Sequence, residues 1–373
     1  MVSKRRPIHA TNLNFRPNMN NLNNSSDPNP KGTKPTTDPT SVKEILVLMV
    51  LHICKKSLFF DTNLKVGIYL ACLFLISLIA DVLMIPKTYL SRSDNLFNKV
   101  FVKFAWGWNL TLLVPFVVLT SLIYCCGNKE KIIKQHLPRL GIATFFWWFW
   151  TSLFNFVEAS FGRCASVNYS TKSLCLREGH VWNGFDLSGH SFILIYGSLL
   201  LIEEARCIVN WDSIKEYIRL EEHQRQTKEV VEKPNPLRNL TSTELKDIKH
   251  NYEKFTPYIR MLCILIAIVQ ILWDVMLFST MLYYHIMVEK FLGGACAILT
   301  WFFTYRVWYT NLSLLPKLPG DGSFKYIKST KANQPATSVK PRRKESLIDQ
   351  GPLFMGRPIY ANLKPDEGAS ASR

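Results

Sequence analysis

The sequence is poor in acidic residues and in histidine. It has 28 Asp and Glu against 45 Lys and Arg, a net charge of +17, and 8 histidines among 373 residues. Such a charge in a soluble protein would suggest a nucleic-acid partner, but the sequence has no zinc-finger spacing and no RNA-binding motif. Its 9 cysteines include no CxxC pair that would indicate a metal site. An apolar content of 48% excludes a disordered chain, a collagen-like fibre and a disulfide-rich mini-domain.

Long apolar runs with almost no charge account for this composition. Six of them approach the length of about 20 residues needed to cross a hydrocarbon core of roughly 30 Å. The sequence therefore predicts an all-α polytopic membrane protein with six transmembrane helices. A shorter run, 45–54, is followed by two lysines and is predicted to lie in the membrane interface. The six predicted spans are 64–85, 104–126, 140–157, 188–208, 258–282 and 291–311.

The basic residues outside these spans predict the orientation. Lys and Arg number 34 in the N-terminal segment through Lys65, the C-terminal tail and the loops 127–139 and 209–257, against 8 in the three loops on the opposite side. Because positive residues collect on the cytosolic side, both termini are predicted to be cytosolic. The basic excess then reflects orientation and contact with anionic lipid, and no nucleic-acid partner is expected.

These predictions divide the chain into four parts. Residues 1–44, rich in Asn, Pro, Ser and Thr, are predicted to be a disordered cytosolic tail without the apolar centre of a cleavable signal peptide. Residues 45–63 are the interfacial segment, and 64–312 are the transmembrane domain that carries the chemistry. Residues 313–373 are a basic cytosolic tail. Within the cytosolic loop 209–257 we expect an amphipathic helix followed by a linker.

The loop 158–187 has two features typical of a luminal segment. It contains the glycosylation sequon Asn168-Tyr169-Ser170, and it contains Cys164 and Cys175. Whether the two cysteines pair and whether Asn168 is glycosylated are left open by the sequence.

His190, on the predicted luminal side, occupies a position suited to phosphoryl transfer. It follows Asp186, Ser188 and Gly189 at the predicted start of the fourth span, and these three residues are predicted to support the site. Glycine lets backbone amides approach a ligand, and the N–H groups at a helix start attract phosphate. An imidazole there can protonate a leaving phosphate oxygen. The alternative is that His190 is a histidine at the membrane interface whose polar atoms are hydrogen-bonded and which has no catalytic role.

His285 ends the fifth span, and Glu289 follows four residues later, on the same face if one helical turn continues. A carboxylate beside an imidazole fixes its tautomer and raises its basicity, as a nucleophilic or base histidine requires. Lys103, at the luminal mouth of the second span, is the candidate to bind the phosphate. Its alternative role is that of a lysine snorkelling to the interface beside Trp106 and Trp108. No metal and no cofactor is expected.

Charged residues inside the spans need partners. Asp274, within the fifth span, is a functional candidate for that reason. Near the predicted cytosolic ends of the fourth and sixth spans lie four residues that we expect to form ion pairs between helices: Glu203, Glu204, Arg206 and Arg306.

Longer stretches around the histidines resemble the fat storage-inducing transmembrane family, and most closely its fungal branch. The resemblance runs through 64–312 and leaves both tails uncovered. It rests on 89–98 (YLSRSDNLFN), 101–108 (FVKFAWGW), 186–192 (DLSGHSF), Tyr284-His285 and 301–308 (WFFTYRVW).

The resemblance implies an enzyme of the endoplasmic reticulum membrane, related to lipid phosphate phosphatases. Such an enzyme cleaves the pyrophosphate of fatty acyl-coenzyme A at the luminal face, and supports lipid droplet formation and phospholipid biosynthesis. Fatty acyl-CoA or a related lipid phosphate is then the expected substrate, with membrane lipids as partners. The alternative is a non-enzymatic membrane protein that binds neutral lipid, partitions triacylglycerol and shapes the bilayer.

The resemblance also implies that His190 and His285 are the catalytic residues. In the wider phosphatase superfamily the second-motif histidine is the acid and the third-motif histidine is the nucleophile. This chain departs from that pattern, because it has no Lys-x6-Arg-Pro element and has Glu289 where an Asp would stand. The division of roles between the two histidines is therefore left open.

Overall fold

The computed structural model describes residues 41–83, 85–92, 94–165, 170–227, 235–311, 315–324 and 326, and two short strands beyond them. The described part is almost entirely helical, as predicted. The strands form two small antiparallel pairs, β1 (Arg163–Cys164) with β2 (Trp182–Asn183) and β3 (Leu353–Phe354) with β4 (Arg357–Pro358). The helices are α1 (Val42–Leu58), α2 (Thr62–Val82), α3 (Ala105–Tyr124), α4 (Lys129–Lys131), α5 (Leu137–Phe161), α6 (Lys172–Arg177), α7 (Gly189–Ala205), α8 (Trp211–Thr227), α9 (Ser242–Tyr283) and α10 (Met287–Trp301).

Five helical stretches of the described chain are long and apolar enough to cross a membrane, so the protein is a multi-pass membrane protein. They coincide with five of the six predicted spans. The sixth, 188–208, forms α7, which has 17 residues and continues as a 3-10 turn over Arg206–Ile208. Its crossing of the membrane stays a prediction, as does the placement of both termini. The five stretches are Thr62–Val82, Ala105–Tyr124, Lys129–Phe161, Ser242–Tyr283 and Met287–Trp308.

The centre of the bundle is α7, which packs against α3, α5, α9 and α10. Nearly all of its residues from Ser191 to Ala205 are buried. A helix that is apolar on all sides is enclosed by other helices. Glycine allows α10 to approach the start of α7 closely, because a Cβ added at Gly293 would come within 2.5 Å of the Ser188 carbonyl oxygen.

Two predicted loops are largely helical. The helix α9 begins at Ser242, where a capping box of Thr241 and Glu244 satisfies its first N–H groups, and it runs for 42 residues. The predicted loop 127–139 is likewise helical from Lys129 onward. Hydropathy marks where an apolar run begins, whereas a helix begins where its first N–H groups are capped. The amphipathic helix expected within 209–257 is present as α8.

The segments at both ends of the described chain also contact the bundle. The helix α1 contains the run 45–54 and packs on α9; its placement in the membrane interface stays a prediction. Beyond α10, the Ser323 N–H donates to the Tyr124 carbonyl oxygen at 2.8 Å, and the Tyr326 hydroxyl donates to the Cys207 carbonyl oxygen at 2.8 Å. The first part of the predicted C-terminal tail therefore packs on the helices. The N-terminal tail through residue 40 lies outside the described residues.

Asp274 has the partner that its position requires. Its carboxylate is 3.0 Å from the Lys65 ammonium and also accepts from Tyr69 and Gln270. These residues come from α2 and α9, so the network joins two helices that are distant in sequence. The role of Asp274 that these contacts support is an ion pair between two helices.

The ion pairs expected between helices are present for Glu203 with Arg306 and for Glu204, whereas Arg206 pairs with Glu203 within α7 and its 3-10 continuation. Glu203 contacts Arg206 and Arg306. Glu204 instead accepts two hydrogen bonds of 2.8 Å from Arg139, a residue that the sequence placed in a loop. Both side chains of this second pair are fully buried. Arg139 therefore forms a contact inside the helix bundle, and it is not one of the surface charges that indicate orientation in the membrane.

Candidate functional site

His285 lies in the short turn between α9 and α10. Its φ of 57° is in the left-handed region, which non-glycine residues rarely adopt and in which histidine is enriched. The helix α9 has already ended at Tyr283, since its C-cap Tyr284 is extended, so Glu289 is not one turn further along α9, as it would be if that helix continued. Glu289 instead lies in the first turn of α10, where its Oε2 accepts from the Ile286 N–H at 3.4 Å.

Two carboxylates face one nitrogen of His285. The Nδ1 atom is 3.4 Å from Oε2 of Glu289 and 3.6 Å from Oδ2 of Asp186. Burial raises the pKa of Asp186, and its electrostatic interaction with His285 acts in the opposite direction. An imidazole nitrogen that faces carboxylates retains its proton, so the lone pair of the neutral ring lies on Nε2. The sequence predicted Glu289 and Asp186 as supporting residues, and the structure brings both to His285.

The start of α7 is tied to the same carboxylate. The Asp186 N–H donates to Oε1 of Glu289 at 3.1 Å, and the Ser188 N–H donates to the Glu289 carbonyl oxygen at 3.3 Å. Ser188 is the N-cap of α7, with its Oγ accepting from the Ser191 N–H at 3.3 Å. The predicted opening of a helix at Ser188-Gly189 is therefore confirmed, and Glu289 in the first turn of α10 holds it in place.

His190 projects from the first turn of α7 toward the loop between α2 and α3. Its Nε2 is 3.0 Å from Oδ1 of Asn98, and its ring lies parallel to the ring of Tyr284 with centroids 6.0 Å apart. With the amide oxygen facing the ring, Nε2 donates. Asn98 is a site residue that the sequence did not single out. Its signal was its place in the stretch 89–98, but only the folded loop brings it to the histidine.

The same loop contacts the residue next to His285. The Tyr284 hydroxyl donates to the carbonyl oxygens of Leu90 and Arg92 at 3.0 and 3.1 Å. Oδ1 of Asn95 accepts from the Asn98 N–H at 2.6 Å, which fixes the backbone that presents the amide. One loop therefore supports the surroundings of both histidines.

Lys103, the cation predicted to bind the phosphate, lies near the site. It is exposed, directly follows the π-helical turn Phe97–Val102, and lies within electrostatic reach of His190, as does His285. Lys172 is engaged elsewhere, because its ammonium pairs with the Glu158 carboxylate. Among the described residues, no group of three His, Cys, Asp or Glu side chains is arranged to hold a metal ion.

The predicted luminal loop is closed by a disulfide between Cys164 and Cys175. The sequence left this pairing open. Arg163 and Arg177 are exposed on the same loop. Asn168 of the sequon lies outside the described residues, so its glycosylation stays untested.

The two imidazoles have different surroundings and can therefore do different chemistry. His285, with carboxylates at Nδ1, has the environment of a nucleophile or base. His190 lies at a helix start, contacts the Asn98 amide and is within electrostatic reach of Lys103, which is the environment of a group that exchanges a proton with an anionic ligand.

Comparison with known proteins extends the resemblance. The family model described as fat storage-inducing transmembrane protein matches residues 86–305, which includes every site residue named above. No solved structure matches the chain.

Three relatives carry the name acyl-coenzyme A diphosphatase FITM2. The protein of Drosophila melanogaster is 46% identical over 99% of this chain and 95% of its own length. Those of Danio rerio and Homo sapiens are 31% and 28% identical over 68% and 65% of this chain, and over 88% and 81% of their own lengths. The tails lie outside the family model, as expected, but the Drosophila alignment extends into them. Placement in the fungal branch stays a prediction. On these matches, the chain belongs to the fat storage-inducing transmembrane protein family.

Proposed function

We propose that this protein is a fatty acyl-coenzyme A diphosphatase. Its relatives carry that name. The observation on which the proposal rests is the arrangement of two imidazoles around one junction. His285 faces Asp186 and Glu289 through Nδ1, and His190 stands at the start of a helix that the Glu289 backbone and side chain hold in place.

The arrangement supports a two-step phosphoryl transfer. The Nε2 lone pair of His285 attacks one phosphorus of the CoA pyrophosphate, and the bond from that phosphorus to the bridging oxygen breaks. The electron pair goes to the leaving phosphate oxygen, which takes a proton from His190. Asp186 and Glu289 stabilise the positive charge that forms on the phosphorylated ring.

The second step restores the enzyme. His190, now neutral, accepts a proton from water as the water oxygen attacks the phosphorus on His285. The P–N bond breaks, and its electron pair returns to Nε2. The products are acyl phosphopantetheine and adenosine bisphosphate. Lys103 and the N–H groups at the start of α7 would bind the phosphate oxygens.

We place this reaction at the luminal face of the endoplasmic reticulum membrane, where it would support lipid droplet formation and phospholipid biosynthesis. The excess of basic residues on the opposite side supports that orientation. The disulfide between Cys164 and Cys175 supports it independently, because disulfides persist in oxidising compartments.

Purified full-length protein in detergent tests the proposal. With oleoyl-CoA and excess EDTA, we expect mass spectrometry to detect oleoyl phosphopantetheine and adenosine bisphosphate in equal amounts. The same preparation should hydrolyse phosphatidate far more slowly. Hydrolysis that requires an added divalent metal would contradict the mechanism, and preferential hydrolysis of phosphatidate would contradict the substrate.

Asn98 is expected to act as a positioning residue for His190. Replacing it with Leu should lower kcat for oleoyl-CoA by about 10- to 100-fold, the usual effect of removing a side chain that orients a functional histidine. In Asn98→Asp the acceptor oxygen is retained and a negative charge is added. That charge favours the protonated imidazole, so substantial activity should return and the basic limb of the pH–rate profile should move to higher pH.

The matched control is Asn155→Leu, on an exposed face of α5, which should behave as wild type. A structural role for Asn98 would instead give two variants with equal losses and an unmoved pH profile.

A further inference from the structure

A second charged site lies at the other end of α7. A cavity of about 680 Å³ is lined by Arg206, Val209, Phe302, Arg306 and the segment 59–63, within which α2 begins. Arg206 lies 16 residues after His190 along the chain, or about 24 Å at 1.5 Å per helical residue. The cavity is therefore separate from the histidine site.

The two arginines of this cavity form ion pairs with the same buried carboxylate. Glu203, with 4% of its side chain exposed, contacts Arg206 at 2.6 Å and Arg306 at 3.2 Å. The arginine side chains remain 41% and 33% exposed. Each guanidinium has five donors in a rigid fork that matches phosphate. The neighbouring Arg139–Glu204 pair is different, because both of its side chains are fully buried and their two charges cancel.

The cavity also contains an acidic group. Asp61 lines it, and its Oδ1 caps α2 by accepting from the Asn63 N–H at 2.9 Å. Arg206 is anchored to the same segment, because its Nη2 donates to Thr62 Oγ1 at 2.7 Å. The net charge of the cavity is zero, because the two arginines are balanced by the Asp61 carboxylate and the buried Glu203 carboxylate. The charges are complementary to a ligand that carries one negative and one positive group.

The level of the cavity in the membrane indicates a lipid headgroup. Thr62 begins one candidate span and Arg306 lies in the last turns of another, so the cavity is at the end of both. Phe60 and Phe302 on its lining are 46% and 51% exposed, which provides an apolar rim. Phe60 also lines a groove of about 420 Å³ whose other walls include Ile68 and Phe278.

We propose that this cavity binds a zwitterionic phospholipid of the phosphatidylethanolamine type. The phosphodiester contacts Arg206 and Arg306, the ammonium group contacts Asp61, and an acyl chain follows the groove past Phe60. The proposal concerns lipid binding and is independent of the hydrolase activity.

Native mass spectrometry of the delipidated full-length protein tests this site. We expect the wild type to retain dioleoyl phosphatidylethanolamine over both dioleoyl phosphatidylinositol and dioleoylglycerol. Asp61→Asn keeps an equally good helix cap and removes the charge. This variant should shift the preference between the two phospholipids toward phosphatidylinositol by about tenfold, the change expected for one charge-assisted contact.

Asp247→Asn, on an exposed face of α9, is the matched control and should leave the ratio unchanged. Arg306→Gln should weaken retention of both phospholipids relative to dioleoylglycerol. The ratio of the two phospholipids retained by Asp61→Asn can be measured even if Arg306→Gln fails to fold. An unchanged ratio in Asp61→Asn would overturn the proposal, and so would full displacement of the lipid by inorganic phosphate, which would indicate a site for free anions.

Discussion

His285→Ala is expected to reduce oleoyl-CoA hydrolysis by about 10³-fold or more, because it removes the atom that would form the bond to phosphorus. His190→Ala should also be severely impaired, but for a different reason, since it leaves the nucleophile and removes the proton donor. With a substrate whose leaving group needs no protonation, His190→Ala should still form phospho-His285. That intermediate can be detected by acid-labile labelling and peptide mass spectrometry.

The control for His285 is His250→Ala, which changes a histidine on an exposed face of α9, the helix that precedes His285, and should retain full activity. Full hydrolysis by His285→Ala would contradict the enzymatic proposal. The alternative, a protein that only binds neutral lipid and shapes the bilayer, would be favoured if the His190/His285 double variant supported lipid droplets as well as wild type does.

Glu204→Gln is expected to destabilise the protein by about 3–5 kcal/mol, because it leaves the buried Arg139 guanidinium without a counter-charge. Glu204 accepts from Arg139 through both of its oxygens and from the Tyr305 hydroxyl at 2.6 Å. Arg139 also donates to the Lys317 carbonyl oxygen, so the loss should loosen the segment that follows α10. Thermal unfolding in detergent measures the change.

The exposed pair of Lys134 with Glu130 provides the control. These side chains are 67% and 72% exposed, so Glu130→Gln should change the unfolding free energy by about 0.5 kcal/mol or less. Replacing Arg139 and Glu204 together, by Met and Leu, should be less damaging than Glu204→Gln alone, because no buried charge is left unpaired. If Glu204→Gln unfolds at the same temperature as wild type, the Arg139–Glu204 pair does not stabilise the protein as its burial implies.

The histidine site divides clearly between what local sequence indicates and what it does not. Ser188-Gly189-His190 at a helix start was predictable, because N-capping involves residues a few positions apart. The contact of His285 with Glu289 was also predicted, but for a helix that continued, whereas the chain turns through a left-handed residue and begins a new helix. Spacing alone does not distinguish these two paths, because both bring residues four positions apart together.

Contacts between distant residues were not predictable. Asn98 is 92 residues from His190, and Lys65 is 209 residues from Asp274. The position of Asp274 within a span indicates that its carboxylate needs a partner, but it does not indicate which basic residue is that partner.

The amino-acid sequence by itself determined the helical membrane class, five of the spans and the candidate histidines, since hydropathy and helix capping depend on neighbours along the chain. Only the tertiary structure decided that Asp186 faces His285, that Asn98 contacts His190, that Arg139 pairs with Glu204, and that two arginines share a cavity at the far end of α7. Those outcomes depend on how the helices pack around α7, and packing joins side chains whose separation along the chain carries no information about their distance in space.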